Sequence, residues 1–166
     1  AAPPRADRSR EIACEATRMP SIESCQINDQ SSWLSLRQAL WPHASEQEHL
    51  EEIEQQIAQP DRYINFIAYD NKRHAVGLVE ASLRSDYVNG TDHSPVIFLE
   101  GLYVVPHQRR QGIAAQLIER VAQWGRELGC VEMASDTDIE NLISHKTHKA
   151  LGFEETERVV FFKREL

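Results

Sequence analysis

The sequence predicts one domain of the α/β class, in which helices and strands pack as layers around a single core. Three observations lead to this prediction. The chain has 166 residues, which is enough for one domain with a sizeable core. Helical and strand-like hydrophobic patterns alternate along it, so layers of both kinds are expected. Neither a repeat nor a linker interrupts residues 19–166, and we interpret them as one folded domain.

The first eighteen residues differ from the rest. They are polar and charged, have no hydrophobic periodicity, and lack the apolar stretch of a signal peptide. We interpret residues 1–18 as a disordered N-terminal extension. No apolar run approaches the ~18 residues of a membrane-spanning helix, so a membrane partner is not expected.

Composition narrows the function classes. The chain is 41% hydrophobic and 27% charged, as is typical of globular proteins. The formal net charge of -8 disfavours nucleic acid, because phosphate binding needs a basic surface. An acidic surface suits a polycationic ligand, although it also simply keeps a protein soluble. Cys14, Cys25 and Cys130 show no CxxC spacing, so neither a disulfide framework nor a zinc site is expected, and a reducing, cytoplasmic compartment fits.

Two helices are predicted first. Ser31–Leu40 carries Trp33, Leu36 and Leu40 at helical spacing, and Pro42 prevents its continuation. The segment Ser45–Glu48 is a capping box that opens a second helix. The second helix has Leu50, Ile53 and Ile57 on one face and is broken at Pro60.

Three strand-like segments follow, at Tyr63–Tyr69, Ala75–Ser82 and Val96–Val105. A polar turn separates the first two, and a polar loop from Arg84 to Ser94 precedes the third. Gly101 interrupts the third strand. A glycine in a strand often marks a bulge or the close approach of another backbone or of a ligand.

The second half begins with the polar, basic loop Pro106–Gln111 and a long helix that ends near Gly129. One stripe of that helix is apolar: Ile113, Leu117, Val121, Trp124 and Leu128. The remaining predicted elements are a short buried strand, a helix and a final strand, at Val131–Ser135, Asn141–Leu151 and Arg158–Lys163.

The stretch Arg109–Ala114 joins a strand to a helix and has the character of an anion site. Backbone N–H groups at a helix start point outward, and the helix dipole favours negative charge there. Gly112 lets the backbone approach a ligand closely, while Arg109 and Arg110 add donors suited to phosphate. A solvated basic turn is the alternative for this stretch taken alone.

In context, this stretch resembles the pyrophosphate-binding motif of the GCN5-related N-acetyltransferase superfamily, Arg/Gln-x-x-Gly-x-Gly/Ala after a bulged strand. Asn141, His148 and Gly152-Phe153 have the spacing of a second motif of that superfamily. A narrower resemblance, to the aminoglycoside 6′-N-acetyltransferases, rests on Leu40-Trp41-Pro42 and on four further segments: Asp86–Thr91, Phe98–Gly101, Ala134–Asp136 and Leu151–Val159. It runs from about Met19 to the C-terminus.

The resemblance implies the fold and the donor. The fold is a mixed, mostly antiparallel sheet with a bulged strand, flanked by helices. The acetyl donor is acetyl-coenzyme A, held without a metal. The residues implied for its binding are Leu102, Tyr103, Val104, Arg109, Arg110, Gln111, Gly112, Ile113, Ala114, Asn141 and His148.

The resemblance also implies catalytic residues. Direct transfer of acetyl to an amine needs a polarised carbonyl, a deprotonated ammonium and a protonated thiolate. Asp136 and Glu100 are the candidates for orienting the ammonium and accepting its proton. The alternative for Asp136 is a helix or turn cap, and the alternative for Glu100 is a solvent-facing strand residue. His148 stands where the superfamily often has a Tyr that protonates the thiolate, and a surface or packing histidine is its alternative. The pair His145 and His148 lacks the partners of a metal site.

An aminoglycoside substrate calls for carboxylates and aromatic surface. The resemblance implies Trp41, His43, Tyr87, Glu100, Asp136 and Glu157 as contacts, although His43 is displaced by one position from the family pattern. Each of three contacts has an alternative: Trp41 can be a core residue, Tyr87 can pack within its loop, and Glu157 can be a solvated charge.

Three functions remain open at this stage. The first is acetylation of the 6′ amine of aminoglycoside antibiotics, which gives resistance. The others are acetylation of another small-molecule or peptide amine, and a non-catalytic sensor that binds coenzyme A or an aminoglycoside. The family often forms dimers, and the predicted strand Arg158–Lys163 is suited to pairing across a homodimer interface.

Overall fold

The computed structural model describes residues 19–166; the predicted disordered extension, residues 1–18, lies outside the described residues. The described part contains five strands and four α-helices, together with short 3-10 turns at Ile27–Asp29 and Pro106–Gln108. The elements run in the order β1 Ser21–Ser24, α1 Gln30–Leu40, α2 Glu46–Ile57, β2 Tyr63–Tyr69, β3 Ala75–Arg84, β4 Val96–Val104, α3 Ile113–Glu127, β5 Met133–Ser135 and α4 Leu142–Ala150.

The strands form one sheet in the order β1-β2-β3-β4-β5. The first four strands pair antiparallel, whereas β4 and β5 pair parallel. A parallel pair needs a long crossover, and α3 provides it. The predicted α/β class, with a mostly antiparallel sheet flanked by helices, is therefore confirmed.

The core lies on both faces of the sheet. Successive residues of a strand point to opposite faces, so Leu78 of β3 packs in a cluster with Trp33 and Ile53 from α1 and α2. The next residue, Val79, belongs to the other cluster, with Leu117 of α3. Helices α1 and α2 thus cover one face, and α3 covers the other.

Most of the predicted elements are confirmed, with boundaries within three residues. The capping box is present: the Ser45 hydroxyl accepts from the backbone N–H of Glu48, whose carboxylate accepts from the backbone N–H of Ser45. Hydrogen bonds to the Glu48 carboxylate, chiefly from the Ser45 backbone N–H and then from the Ser45 hydroxyl, lower the pKa of Glu48. The long helix ends before Gly129, which has a φ of 78°.

Two predictions about strands were wrong, and one strand was missed. The final strand Arg158–Lys163 does not form: residues 154–166 adopt neither helix nor strand. Its apolar residues favour β structure, but a strand also needs a neighbour. The predicted buried strand Val131–Ser135 is shorter, Met133–Ser135, and its three residues are only partly buried; Val131 lies outside it and is exposed. Strand β1, Ser21–Ser24, was missed because four polar-rich residues show no periodicity, and its pairing with β2 holds it.

Candidate active site

A β-bulge shapes the middle of β4. Glu80 of β3 pairs with Gly101, whereas its neighbour Ala81 pairs with Leu99. Glu100 is therefore the extra residue on the bulged strand. Bulges re-aim side chains and are common beside active sites, and this one places an exposed carboxylate between two residues that are bound in the sheet.

The sheet opens immediately beyond the bulge. The parallel pairing of β4 with β5 runs over three residues and ends where Leu99 meets Ser135. Further along β4, the segment 101–104 has no strand partner on that side within residues 19–166. Backbone donors and acceptors at a free strand edge can bind an extended ligand. The predicted contacts Leu102, Tyr103 and Val104 lie along this edge.

The loop from β4 to α3 has the geometry of an anion site. Gly112 caps α3 with a φ of 81°, and a Cβ atom built on it would meet nothing within 4 Å. Arg110 is also left-handed, with a φ of 61°. The N–H groups of the first turn of a helix have no intrahelical partner, so those beginning at Ile113 are available to a diphosphate. These residues fit the diphosphate of coenzyme A.

Arg109 has a structural contact as well. Its Nε donates to the carbonyl oxygen of Val104 at 2.8 Å, and its guanidinium lies 5.7 Å from the centre of the Tyr103 ring. The side chain therefore ties the loop back to the end of β4. This contact fixes the distance between the loop and the free strand edge.

A large cavity lies on the α1 and α2 side of the bulge. It has a volume of about 790 Å³. Charged side chains are frequent in its lining. Carboxylates come from α2, β3 and β4, and guanidinium groups come from α1, β3 and the α2–β2 connection: Glu48, Glu52, Glu80, Glu100, Arg37, Arg62 and Arg84. Trp41, His43 and Tyr63 also line it. Carboxylates and aromatic surface together suit a polycation.

Trp41 connects this cavity to the bulge. A Cβ atom on Gly101 would lie 2.5 and 2.7 Å from two atoms of the indole ring, and 2.9 Å from a methyl carbon of Leu40. Of the two alternatives for a glycine in β4, the bulge is confirmed; the atoms that approach Gly101 belong to side chains at the end of α1, not to another backbone or a ligand. The predicted contact residue Trp41 is therefore one wall between the cavity and the bulged strand.

A buried ion pair lies beneath the cavity. Arg37 and Glu80 are each 2% exposed, and Arg37 Nη1 donates to Glu80 Oε2 at 2.6 Å. Trp33 Nε1 donates to the other oxygen of Glu80 at 2.5 Å. The guanidinium of Arg37 also lies 4.8 Å from the centre of the Trp41 ring. The pair thus links α1, β3 and the aromatic wall.

Glu100 is held rather than free. Its carboxylate accepts from the Ser82 hydroxyl and, at 2.9 Å, from Arg84 Nη2. Arg84 in turn stacks over the ring of Phe98, 3.5 Å from its centre. The carboxylate of the bulged residue is therefore oriented at the cavity's edge by two neighbours.

His148 lies at the opposite side of the opening. Its Nδ1 is 2.9 Å from the carbonyl oxygen of Ser144 and 3.2 Å from the Ser144 hydroxyl, so it can donate to the first or accept from the second. Its Nε2 is 3.0 Å from the Ser135 hydroxyl. When the imidazole is protonated, both ring nitrogens donate, Nδ1 to Ser144 and Nε2 to Ser135. Ser135 is the residue at which β4 and β5 separate.

The other predicted residues lie around the same opening or beyond it. Asp136 is exposed and directly follows Ser135. Asn141 caps α4, and its Oδ1 accepts from the backbone N–H of Ser144 at 3.1 Å. Tyr87 is exposed, as is Glu157. Asp136, Tyr87 and Glu157 do not line the 790 Å³ cavity. Of the three predicted substrate carboxylates, Glu100, Asp136 and Glu157, only Glu100 therefore lies in the cavity lining.

The loop of Tyr87 and the segment of Glu157 do meet. A side chain on Gly90 would collide with Thr156, so residues on either side of this contact are neighbours in space.

Sequence reasoning missed Arg37, Glu52, Glu80 and Ser135. A signal existed for two of them. Arg37 follows Trp33 by four residues, which places a charge on the apolar face of α1, and Glu80 interrupts the apolar run of β3. A helix and a strand that each bury one charge of opposite sign are expected to pair them.

The thiols of Cys25 and Cys130 are both affected by burial. Burial, with further contributions from Glu80 and Asp29, raises the pKa of the Cys25 thiol well above its ordinary value. Burial likewise raises the pKa of Cys130, which packs in the core. Both cysteines are free. Over residues 19–166, no group of three or more His, Cys, Asp or Glu side chains is arranged to hold a metal ion.

No helix in the described part has both the length and the apolar character needed to cross a membrane.

Comparisons with known proteins agree on one family. The model of the acetyltransferase (GNAT) family matches residues 31–153. A curated relative, aminoglycoside N(6′)-acetyltransferase type 1 of Acinetobacter genomosp. 13, is 47% identical over 148 residues, which cover 89% of this chain and 97% of the relative. The protein of the same name from Salmonella typhimurium is 52% identical over 132 residues, covering 80% and 90%.

Solved structures agree with these relatives. The structure of AAC(6′)-Iy in complex with the bisubstrate analogue CoA-S-monomethyl-acetylneamine has a TM-score of 0.84 and 46% identity, covering 90% of this chain and 100% of that one. The aminoglycoside 6′-N-acetyltransferase AAC(6′)-Ih of Acinetobacter baumannii has a TM-score of 0.85 and 45% identity, covering 89% and 99%.

Proposed function

The chain belongs to the acetyltransferase (GNAT) family, and from this membership we propose that it is an aminoglycoside 6′-N-acetyltransferase. It transfers the acetyl group of acetyl-coenzyme A directly to the 6′ amine of aminoglycoside antibiotics. Acetylation removes a positive charge from the drug and thereby gives resistance to it. No metal takes part in this reaction.

One observation carries the choice of acceptor. A relative named as an aminoglycoside N(6′)-acetyltransferase is 52% identical to this chain over 132 residues. The geometry supports the same choice: the free edge of β4, suited to the donor, lies beside a cavity rich in carboxylates, suited to a polyamine. Glu100 and Gly101 lie between them, so the two substrates meet at the bulge.

On the donor side, we propose that the backbone does most of the binding. The diphosphate lies against Gly112 and the first turn of α3, where the N–H groups and the helix dipole stabilise negative charge. The pantetheine arm follows the segment 101–104 as an added strand would. A backbone N–H of Leu102 or Tyr103 donates to the thioester carbonyl oxygen and stabilises the charge that develops there.

On the acceptor side, we propose Asp136 as the residue that orients the reactive ammonium and accepts its proton. It follows Ser135, at the point where β4 and β5 separate, and its carboxylate is exposed. Glu100 contributes a second negative charge. Because Arg84 and Ser82 hold the Glu100 carboxylate, its role is to position the amine rather than to move.

We propose that His148 returns a proton to the departing thiolate. Its protonated form carries on Nε2 the hydrogen that is given up, while Nδ1 contacts Ser144. The Ser135 hydroxyl, 3.0 Å from Nε2, is also 3.3 Å from the Leu99 carbonyl oxygen. To protonate the thiolate, this hydroxyl turns from Leu99, releases its own proton to the sulfur and takes the Nε2 proton, which leaves His148 neutral.

The function is tested by an acetyl-transfer assay. Purified protein is incubated with acetyl-coenzyme A and a panel of aminoglycosides, amino acids, polyamines and peptides, and free coenzyme A is measured. The modified nitrogen of each product is then assigned by NMR. We expect thiol release with aminoglycosides and acetylation at the 6′ amine. Turnover of peptides but not of aminoglycosides would contradict the proposed acceptor, and binding without turnover would indicate a sensor.

We further propose that the protein is a homodimer joined through its C-terminal segment, residues 154–166. Val160, Phe161 and Phe162 are strongly exposed, with Phe162 at 92%, and single chains rarely leave such a run in water. The outer edge of β5 has no strand partner within residues 19–166. The segment of a second copy can add to this edge as a strand.

Light scattering after gel filtration tests the dimer. We expect twice the mass of one chain for the wild type, and one chain for a variant with Phe161→Ser and Phe162→Ser. A wild type that is monomeric at micromolar concentration rules out this assembly. We also propose a cytoplasmic location, supported by the two free thiols, Cys25 and Cys130, which are typical of reducing compartments.

A further inference from the structure

We propose that one face of α2, centred on Glu52, is a second ammonium-binding subsite that holds an amino-sugar ring other than the one that is acetylated. This inference rests on the proposed function, because it needs a substrate with several ammonium groups. The subsite lies in the cavity but away from the bulge, Asp136 and His148. Its expected contribution is to the affinity for the acceptor, not to the chemical step.

The charge balance around Arg37 makes Glu52 available. Arg37 forms ion pairs with both Glu80 and Glu52. One guanidinium between two carboxylates leaves one negative charge uncompensated. Glu80 is buried with its oxygens satisfied by Trp33 and Arg37, whereas the side chain of Glu52 is 57% exposed. The uncompensated charge therefore faces the cavity at Glu52, where an ammonium group can reach it.

The position of Glu52 is fixed before any ligand binds. Arg37 is held by Glu80 on one side and stacks on Trp41 on the other, so it cannot follow Glu52 into solvent. A carboxylate that is anchored by such a guanidinium loses little conformational entropy on binding a cation. This distinguishes Glu52 from the ordinary exposed glutamates of α2.

A second, independent feature of the same wall points to a ligand. His49 lines the cavity and is 1% exposed. Its Nδ1 accepts from Arg37 Nε at 3.4 Å, so its hydrogen is on Nε2. Among the described residues, Nε2 has no hydrogen-bond partner. A buried donor without an acceptor costs ~1–3 kcal/mol. Because Nε2 is itself buried, the wall must open slightly for an oxygen of a bound molecule to reach it and recover this cost.

These two groups match one chemical pattern. Glu52 binds an ammonium group, and His49 Nε2 donates to an oxygen near it. Both side chains contact the same guanidinium, His49 through Nδ1 and Glu52 through its carboxylate, so they are neighbours on this wall. An amino group with a neighbouring hydroxyl is the pattern that amino sugars present. The occupant we infer is therefore an amino-sugar or aminocyclitol ring of the acceptor.

The cavity is large enough for this second ring. Its volume of about 790 Å³ is near the upper end of the ~300–1,000 Å³ typical of sites for drug-sized ligands. It reaches from Trp41 and Glu100 at the bulge to Glu48 and Gln55 on α2. Glu48, Glu52 and Gln55 share one face of the helix at spacings of four and three residues.

Helix α2 also provides a matched control. Glu51 is adjacent to Glu52 in sequence, carries the same charge and is exposed, but it does not line the cavity. It accepts a hydrogen bond from Gln47 on the outer face. Glu52→Gln and Glu51→Gln therefore change the net charge and the helix equally. They differ in which face loses a carboxylate and in the ion pair with Arg37, which Glu52 makes and Glu51 does not.

The experiment measures kcat and KM of both variants with a three-ring aminoglycoside, and its Kd by calorimetry in the presence of coenzyme A. We expect Glu52→Gln to raise KM and Kd for the aminoglycoside about tenfold with kcat nearly unchanged, the signature of lost uniform binding. The KM for acetyl-coenzyme A should not change. Glu51→Gln should stay within about twofold of the wild type on every constant.

Charge reversal gives a second measurement. Glu52→Lys puts an ammonium where the ligand's ammonium would bind, so its KM should exceed that of Glu52→Gln, while Glu51→Lys serves as its control. Equal effects at both positions, or none at either, overturn the subsite, since they report only overall charge. A loss of kcat with KM unchanged also overturns it. A wild type inactive on every aminoglycoside refutes the proposed function instead.

Discussion

The donor side and the acceptor side of this site are built in opposite ways. The proposed donor side rests mainly on one continuous stretch, residues 98–115, whose backbone turns from a bulged strand into a helix; Asn141 and His148 of the α4 region are added to it. The acceptor side is assembled from side chains of α1, α2, β3 and β4, which are separated by up to 63 positions between Arg37 and Glu100. The first is a local conformation, and the second is a network of charges.

The difference affects how each side responds to change. Backbone N–H groups at a helix start are fixed by the helix itself, so substitutions there alter ligand affinity more than stability. Buried charges are stable only together, because removing one leaves its partner without compensation. We therefore expect arginine substitutions on the two sides to have different consequences.

The largest expected effect is on the acceptor side. Arg37→Met leaves the buried carboxylate of Glu80 without its guanidinium, and we expect it to lower the free energy of unfolding by ~3–5 kcal/mol. Urea denaturation measures this loss. Arg110→Ala on the donor side should change the free energy of unfolding by less than ~0.5 kcal/mol, as is usual for surface positions. It should instead weaken the binding of acetyl-coenzyme A.

A double substitution sharpens the same contrast. Arg37→Met together with Glu80→Met removes both charges, and we expect most of the lost stability to return because buried ion pairs often stabilise little over apolar residues. Turnover of aminoglycosides should stay low, since Trp41 has lost the guanidinium that stacks on it. A double variant that is stable and fully active would mean that the pair has no influence on the acceptor site.

The next effect concerns the reaction itself. Asp136→Asn should lower kcat/KM for an aminoglycoside by at least about tenfold, or ~1.4 kcal/mol, because the ammonium loses the carboxylate that orients it. Asp138→Asn is the control, since Asp138 is a loop residue whose side chain accepts from the Glu140 backbone. Initial rates by thiol release provide the measurement. Equal rates for the two variants would remove Asp136 from the mechanism.

A glycine pair tests the donor side. Gly112→Ala forces a side chain into a left-handed conformation, which costs roughly 1–2 kcal/mol, at the point where the diphosphate approaches. We expect acetyl-coenzyme A to bind roughly tenfold more weakly, or ~1.4 kcal/mol, by calorimetry. Gly129→Ala carries the same strain, with a φ of 78° and nothing within 4 Å, at the other end of α3. Its affinity for the donor should be unchanged.

The smallest expected effect is a pH dependence of stability that comes from Tyr69, in the core beneath the acceptor side. Burial, with the hydrogen bond to Asp29, raises the pKa of Tyr69 to about 12. The unfolded chain has a tyrosine pKa of ~10, so the stabilisation is complete below pH ~10 and is lost as pH rises through the folded value. At neutral pH, Tyr69→Phe should lower the free energy of unfolding by ~1 kcal/mol. Between neutral pH and pH ~11, the free energy of unfolding of this variant should fall by less than that of the wild type.

Urea denaturation between neutral pH and pH ~11 measures this dependence. Tyr87→Phe is the control, because Tyr87 is exposed and its loss should leave the wild-type curve unchanged. Parallel curves for the wild type and Tyr69→Phe would show that Tyr69 does not link folding to protons in this range.

Much of the fold could be predicted because its signals are local. The apolar stripes of α1 and α3, the capping box at Ser45 and the glycine after α3 each act within a few residues. The failures have the opposite character. Strand β1 exists only because β2 lies beside it, and the apolar segment around Phe161 remains unpaired because no described strand lies beside it.

The site divides along the same line. Gly112 and the bulge at Gly101 could be recognised because a glycine in a loop or strand usually serves a special backbone geometry. Glu52 and His49 gave no such signal, since a charged helix face is ordinary in solution. Their significance depends on Arg37, which reaches them from another helix.

The sequence by itself determined the α/β class, most of the helices and strands, and the turn that receives a diphosphate, because hydrophobic periodicity and glycine conformation act over a few neighbouring residues. Only the tertiary structure decided which carboxylates share a cavity, which of them are neutralised and which remain available to a cation. The reason is physical: electrostatic energy depends on distance and burial in space, and neither is encoded in the spacing of charges along the chain.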